Sequence, residues 1–363
     1  MSPVPARDAP PAPPPAPPQP STTAAQEEER RRFQAVLASM AEGVLLLDGE
    51  RRVTLVNPAA SRLLGLPAQP LGRRLLEVSR LPALHELVER ARAGEACEAE
   101  LDAGPQRRLR ARATPLEGSH EVSVVVHDVT ELRRLEAIRK DFVANVSHEL
   151  RTPISVIRAN AETLLEGALE DAGLARGFVE ALLRNAERLS ALISDLLDIS
   201  RIESGSHKLE RRPLALAQAV RQVLDNMAQA AAARGQTLSS QVPEALWALG
   251  DEKALGQVLT NLLDNATKYT PDGGHIQVRA ACQAGQVRLE VVDDGPGIEP
   301  QHRARVFERF YRVDQGRSRA MGGTGLGLSI VKNLIEALGG QVGIEPNQPA
   351  GSIFWVTLPE APP

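Results

Sequence analysis

The spacing of apolar residues changes twice along the chain and divides it into three stretches. From Phe33 to about Asp128, short aliphatic runs alternate with turn residues. Val44–Asp48 reads as a strand, Gly49-Glu50 as a turn and Val53–Val56 as its hairpin partner. Asn57 and Pro58 open a short helix that ends near Gly65; a second helix is predicted over Ala83–Ala93, and strands over Arg107–Ala113 and Val122–Val126. From Glu131 the step becomes three and four. Leu135, Ile138, Phe142, Val146, Leu150, Ile154, Ile157, Ala161 and Leu164 form one apolar stripe on a long helix. Pro153 lies within it and should kink it, because it removes a backbone donor and crowds the turn before it. After a breaker-rich loop over Glu166–Gly173, Phe178, Leu182, Asn185, Leu189, Leu192, Leu196 and Ile199 give a second stripe that closes near Gly205. Two such helices make an antiparallel hairpin. One hairpin cannot cover its own stripes, whereas two make a four-helix bundle, so this stretch predicts a homodimer.

Beyond Ser206 the pattern is α/β again. Helices are predicted over Leu216–Ala233, Glu252–Tyr269 and Leu326–Leu338. Strands are predicted over Gln236–Gln241, Trp247–Leu249, Ile276–Ala281, Val287–Asp293, Gln341–Ile344 and Ser352–Leu358. Their order suits a mixed sheet with one face covered by helices. With 363 residues the chain is long enough for two or three domains. Residues 1 to 20 hold ten of the 27 prolines and read as a disordered, polyproline-like tail, with an SH3-type ligand as the alternative. Glu27-Glu28-Glu29 followed by Arg30-Arg31-Arg32 opens the first helix, acids before bases as the helix dipole prefers.

Composition then removes several classes. A net charge of −4 excludes a strongly basic nucleic-acid binder, and 3% aromatics excludes a base-stacking platform. Two distant cysteines, Cys97 and Cys282, write no disulfide framework or zinc site. No transmembrane segment and no signal peptide is legible, so the chain is expected to be cytoplasmic.

Four constellations carry candidate chemistry. In the first, Phe142, Val146 and Leu150 point inward, which leaves His148 exposed beside Glu149. Position 152 is Thr152, so the second ligand of an HExxH zinc site is missing; an imidazole with an adjacent carboxylate is a workable nucleophile. The bland alternative is a solvated histidine. In the second, Asn261, Asn265 and Lys268 share one helix face opposite Leu255, Val258, Leu259, Leu262 and Ala266. Amide oxygens and an ammonium there suit Mg²⁺ and phosphate, or simply form the polar side of an amphipathic helix. The third is Asp293 at a strand end before Gly295 and Gly297, which is either a nucleotide-site arrangement or a tight turn. The fourth is Gly322-Gly323-Thr324-Gly325-Leu326-Gly327, which opens a helix where backbone amides can cradle phosphates. It is neither a Walker A loop nor a dinucleotide fingerprint.

Taken together and in order, His148, Asn265, Asp293 and Gly322–Gly327 resemble the H, N, G1 and G2 boxes of sensor histidine kinases, with Val306–Tyr311 similar to the intervening phenylalanine box. Residues 40–48, 56–60 and 127–130 look like pieces of a PAS domain, and the run from Asp141 to Ile154 is especially similar to the phosphate-regulon sensor kinases. Those proteins usually carry membrane helices where this chain has a proline-rich start. The resemblance implies a multidomain fold: a tail over 1–29, an α/β PAS sensor over 30–130, an all-α hairpin forming a dimeric four-helix bundle over 131–205, and an α/β sandwich ATP-binding domain of the histidine kinase/gyrase/chaperone type over 206–363.

By the same resemblance, His148 would accept the γ-phosphoryl group of ATP, Glu149 would act as its base, and Thr152 would orient water for dephosphorylation of a partner. Asn265 would hold Mg²⁺, supported by Asn261 and Lys268, with Tyr269 near the adenine. Asp293 would accept the adenine amino hydrogen. Gly295 and Gly297 would permit a mobile lid, Phe310 would anchor it, and Gly323, Gly325 and Gly327 would bind phosphates. The implied partners are a response regulator receiver domain and a second copy of the chain. Ser204-Gly205-Ser206 would act as a hinge, and bending at Pro153 as a gate. An ATP-consuming chaperone or topoisomerase relative, and an ATP-binding scaffold that does not phosphorylate itself, are the other classes. His85, His120 and His127 have no haem or metal setting.

Overall fold

A computed structural model describes residues 22–104, 106–204, 209–314 and 323–362. The proline-rich start, Gly205-Ser206 of the expected hinge and Gly322 of the expected phosphate loop lie outside the described residues. Two compact units divide the chain, residues 1–140 and 141–363.

The first unit opens with α1 (Thr22–Ser39), which begins earlier than the charge pattern predicts and takes up residues 22–29 of the expected tail, a stretch with no proline between Pro20 and Pro58 to break it. Then come β1 (Gly43–Leu47), β2 (Val53–Val56), α2 (Pro58–Leu64), α3 (Leu75–Val78), α4 (Pro82–Arg92), β3 (Cys97–Asp102), β4 (Arg108–Pro115) and β5 (Val122–Asp128). The strands form one antiparallel sheet in the order β2-β1-β5-β4-β3. Asn57 both caps α2, accepting from the Ala60 amide at 2.8 Å, and accepts from the Val44 amide at 2.9 Å. One side chain therefore joins helix to sheet, and it is buried. Leu45, Leu47, Leu84, Leu87, Leu101 and Leu109 fill the core.

Helix α5 (Thr130–Leu165) leaves this unit without interruption. The Asp128 carboxylate accepts from the Thr130 amide at 3.0 Å at the junction, and the Thr130 hydroxyl holds Asp128's pKa below the usual carboxylate range. A short 3₁₀ turn over Ala168–Glu170 leads to α6 (Ala172–Glu203), whose N-cap Asp171 accepts from the Gly173 and Leu174 amides. The inner stripe of α5 runs through Val146, Leu150, Pro153, Ile157, Ala161 and Leu164. Leu135, Ile138 and Ile154, all expected on that stripe, are exposed; for Ile154 the 3.6-residue period puts buried Pro153 inward and its neighbour about 100° round.

The remainder comprises β6 (Arg212–Ala215), α7 (Leu216–Ala232), β7 (Thr237–Gln241), β8 (Trp247–Gly250), α8 (Glu252–Tyr269), β9 (His275–Gln283), β10 (Gln286–Asp293), α9 (Pro300–Arg303), α10 (Gly327–Ala337), β11 (Val342–Pro346) and β12 (Ser352–Pro359). The main sheet has the order β11-β12-β10-β9-β7, antiparallel except for the parallel β7–β9 pair; β6 and β8 pair separately. Leu259, Leu262, Ile330 and Leu334 from α8 and α10 meet Val278, Leu289 and Val356 of the sheet. Leu192 and Ile199 of α6 join this same core, so the hairpin and the α/β part share one apolar seam.

Candidate active site

Helix α8 is held at its start by Asp251, whose carboxylate accepts from the Ala254 amide at 3.0 Å. Its apolar face is buried, which turns Asn261, Asn265 and Lys268 to the other side. Asn261 lies against Gly327: a Cβ added at 327 would stand 3.4 Å from its Oδ1. Its Nδ2 is buried with no hydrogen-bond partner. A buried donor without an acceptor is costly, and it fits a site completed by a ligand rich in oxygen. The Asn265 side chain makes no hydrogen bond among the described residues, which leaves its amide oxygen open to a cation. Lys268 is engaged, 2.6 Å from Asp264 one turn back. Tyr269 closes the helix and is 42% exposed.

Asp293 ends β10. Its Oδ1 accepts from the Gly295 amide at 2.9 Å and the Ser352 amide at 3.2 Å. Burial nevertheless pushes its carboxyl above the usual carboxylate range, against the pull of those two bonds. Gly295 sits where a Cβ would come 2.9 Å from Asp293 Oδ1 and 3.3 Å from the Tyr269 carbonyl. Gly297, at φ +74°, sits where a Cβ would be 3.0 Å from the Gly351 carbonyl. A side chain at 295 would crowd the space between Asp293 and the Tyr269 carbonyl, and one at 297 would press on the Gly351 backbone. On its far side Phe310 adopts φ +61° and donates its amide to the Gly325 carbonyl at 2.8 Å. Gly323 accepts from Arg312 through its carbonyl, and Gly327 begins α10.

On the hairpin, His148 is exposed and its ring has no hydrogen-bond partner among the described residues. Thr152 donates its hydroxyl to the His148 carbonyl at 3.2 Å. Glu149 turns toward α6, where Arg188 reaches it at 2.9 Å, and Arg312 reaches it at 3.3 Å. Phe142 meets Phe310 at 5.8 Å between ring centroids, with the Arg309 guanidinium over the Phe142 ring at 5.3 Å. Thr324 donates to Asp195 at 2.7 Å and Gln257 to Asp198 at 2.7 Å. Burial raises the Asp195 carboxyl, against the Thr324 bond.

The structure thus brings Asn261 to Gly327, Tyr269 and Gly295 to Asp293, and Phe310 to Gly325. Lys268 is paired with Asp264, and its charge also acts on Asp195, which bonds Thr324 of the glycine loop. Arg188, Asp195 and Arg312 were missed by sequence reasoning. For Arg188 a signal existed: a cation on the buried side of α6, opposite Glu149 on the buried side of α5.

Comparison with known proteins bears directly on this arrangement. Residues 250–362 match the histidine kinase-, DNA gyrase B- and HSP90-like ATPase family, residues 138–205 the His Kinase A (phospho-acceptor) domain and residues 31–98 the PAS domain. The chain is 35% identical over 305 residues to the phosphate regulon sensor protein PhoR of Pseudomonas aeruginosa, covering 84% of this chain and 69% of PhoR. The chain belongs to the sensor histidine kinases. It is also 31% identical over 340 residues to the sensor histidine kinase WalK of Bacillus subtilis, covering 90% of this chain but only 55% of WalK. Among solved structures, histidine kinase ThkA in complex with response regulator protein TrrA shares the fold, with a TM-score of 0.51 and 24% identity over 90% of this chain and 98% of that one. The histidine kinase is accordingly multidomain, an α/β PAS sheet followed by a helical hairpin and an α/β ATPase fold. No helix among its described residues is long and apolar enough to cross a membrane.

Proposed function

We propose that this sensor histidine kinase phosphorylates itself on His148 from Mg²⁺-ATP and passes the phosphoryl group to an aspartate of a response regulator receiver domain. The observation that carries the reading is an exposed imidazole with no hydrogen-bond partner among the described residues, one residue from Glu149, in the same compact unit as the glycines that flank buried Asp293. Phosphoryl transfer depends on positioning and charge neutralisation more than on covalent help. An imidazole nitrogen forms the new P–N bond as the β–γ P–O bond breaks and ADP leaves. Glu149 takes up the positive charge that develops on the ring, and its proton. Asp293 accepts the amino hydrogen of adenine, with Tyr269, Gly295 and Gly297 shaping that end of the cleft.

Asn265 offers the protein's oxygen to Mg²⁺, and Asn261 places its unpaired amide donor toward the phosphates. Asn265 would hold Mg²⁺ together with the phosphate oxygens of ATP, and the ion would supply charge neutralisation there. Gly323, Gly325 and Gly327 present backbone amides, and Lys268 joins once Asp264 releases it. Residues 30–130 serve as sensor, 131–205 as the dimerising phosphotransfer hairpin and 206–363 as the catalytic domain. Thr152 serves the reverse activity, dephosphorylation of the regulator.

Labelling the purified chain with γ-³²P-ATP tests the assignment. Acid-labile, base-stable phosphate is expected on the wild type and none on His148→Ala, whose ATP affinity should stay intact because nucleotide binds elsewhere. Residual acid-labile label on His148→Ala would refute it.

A further inference from the structure

The Glu149 carboxylate is gripped from two sides. Arg188 of α6 donates to Oε2 at 2.9 Å, and Arg312 donates to the same oxygen at 3.3 Å. The three side chains are only 15%, 14% and 6% exposed for Arg188, Glu149 and Arg312. Charges so shielded interact far more strongly than surface pairs, and removing one partner leaves the others poorly compensated.

The two arginines differ in permanence. Arg312 also donates to the Gly323 carbonyl. It reaches Glu149 because the α/β part is seated on the hairpin through Thr324–Asp195, Gln257–Asp198 and Phe310–Phe142. Its hold lasts only as long as that seating. Arg188 and Glu149 stand on the two helices of one hairpin. Glu149 is the only hydrogen-bond or ion-pair partner that Arg188 has among the described residues.

The same Arg312 nitrogen touches both the Gly323 carbonyl and the Glu149 carboxylate, so any shift of the glycine loop carries Arg312 off Glu149.

We propose that Arg188 is a positioning residue for the phosphorylation of His148: it fixes the Glu149 carboxylate on the hairpin, at reach of the imidazole, while Arg312 comes and goes. This rests on the reading of Glu149 as the group that assists His148. Without Arg188, Glu149 follows Arg312 or turns to water, and the base is lost from its place while the nucleotide cleft is untouched. The planar guanidinium fork holds a carboxylate in a fixed direction, which an ammonium does less well.

The experiment is a cycle of Arg188→Gln and Glu149→Gln in the full chain, measuring single-turnover and steady-state labelling of His148 with melting and light scattering as fold controls. Arg188→Gln should lower the phosphorylation kcat ~10-fold or more, as loss of geometry does, with the KM for ATP unchanged. In the Glu149→Gln background the same change should cost nothing further, because Arg188 acts only through Glu149. Should Arg188→Gln unfold, Arg188→Lys carries the test: a smaller fall is expected, again absent from the Glu149→Gln background. An unaltered kcat, a raised KM, or equal losses in both backgrounds overturns the proposal. A wild-type chain that takes no label on His148 overturns the underlying reading as well, whereas normal wild-type labelling with an unaffected Arg188→Gln overturns this one alone.

Discussion

Asp293 does two things that pull in opposite directions with pH. In its proposed role of accepting the adenine amino hydrogen it acts as the carboxylate, yet burial raises its pKa above the ordinary aspartate value of about 3.9. ATP affinity should therefore fall on acidification at a pH higher than an ordinary aspartate would give. Folding responds with the other sign. The folded chain binds this proton more tightly than the unfolded one, so the group adds stability as pH falls into the window between the two pKa values, and that stability is lost as pH rises through the folded one. Asp293→Asn should weaken ATP binding ~10-fold or more at neutral pH, because its amide oxygen stays with the Gly295 and Ser352 amides and an NH2 group is left where adenine needs an acceptor, and should flatten the acid limb; calorimetric titration across pH measures both. Thr152 is a second test. Its bond to the His148 carbonyl is the local kind that a helix hydroxyl exchanges readily. Thr152→Ala should leave autophosphorylation intact and slow regulator dephosphorylation ~10²-fold; equal falls in both rates would assign the hydroxyl to helix geometry instead. His148, Asn265 and Asp293 are legible in the sequence because their chemistry lies in residue type and order. Arg188 leaves only a faint signal, its place on the buried side of α6, and Arg312 none, because a cation is assigned by its partner and Glu149 lies 39 and 163 positions away.

At the scale of elements, the longer helices and central strands follow from periodicity, while the short helices α3 and α9 and the strands β3 and β6 escape it. The segment Cys97–Asp102 carries three acids on an edge strand and few β-branched residues. What makes it a strand is β4 beside it, where Arg110 meets Glu98 at 3.2 Å and Arg108 meets Asp102 at 2.5 Å. The segment Arg212–Ala215 is short and includes Pro213, and its pairing with β8 is a tertiary fact. The terminal strands offer a direct test of packing. A Cβ at Gly343 of β11 would stand 2.2 Å from the Trp355 ring of β12. Gly343→Ala should destabilise the α/β part by ~1–3 kcal/mol, the usual cost of overpacking, read as a lower melting transition and weaker ATP binding.

The hairpin leaves a second set of apolar side chains uncovered. Val179, Leu183, Ile193 and Leu197 on α6 are about half exposed, and on α5 so are Val143 and Ile154, with Leu165 more so. The α5 three recur every 11 residues and so share a face. Contiguous apolar surface of this extent marks an interface. The chain should be a homodimer at micromolar concentration, and Leu183→Glu should dissociate it without loss of ATP binding; light scattering and nucleotide titration report the two. The proline within α5 has a further consequence for the whole molecule. Pro153 has no amide hydrogen to give the carbonyl of Glu149, so a 36-residue helix is missing one rung about one turn beyond His148, the proposed phosphoacceptor. A rod with one weakened rung concentrates its flexure there, whatever end the load is applied to. Amide hydrogen exchange along α5 should be fastest around residues 149–153 and slower on either side. Pro153→Ala should even it out and leave the reactive imidazole on the stiffest part of the helix instead of beside its joint.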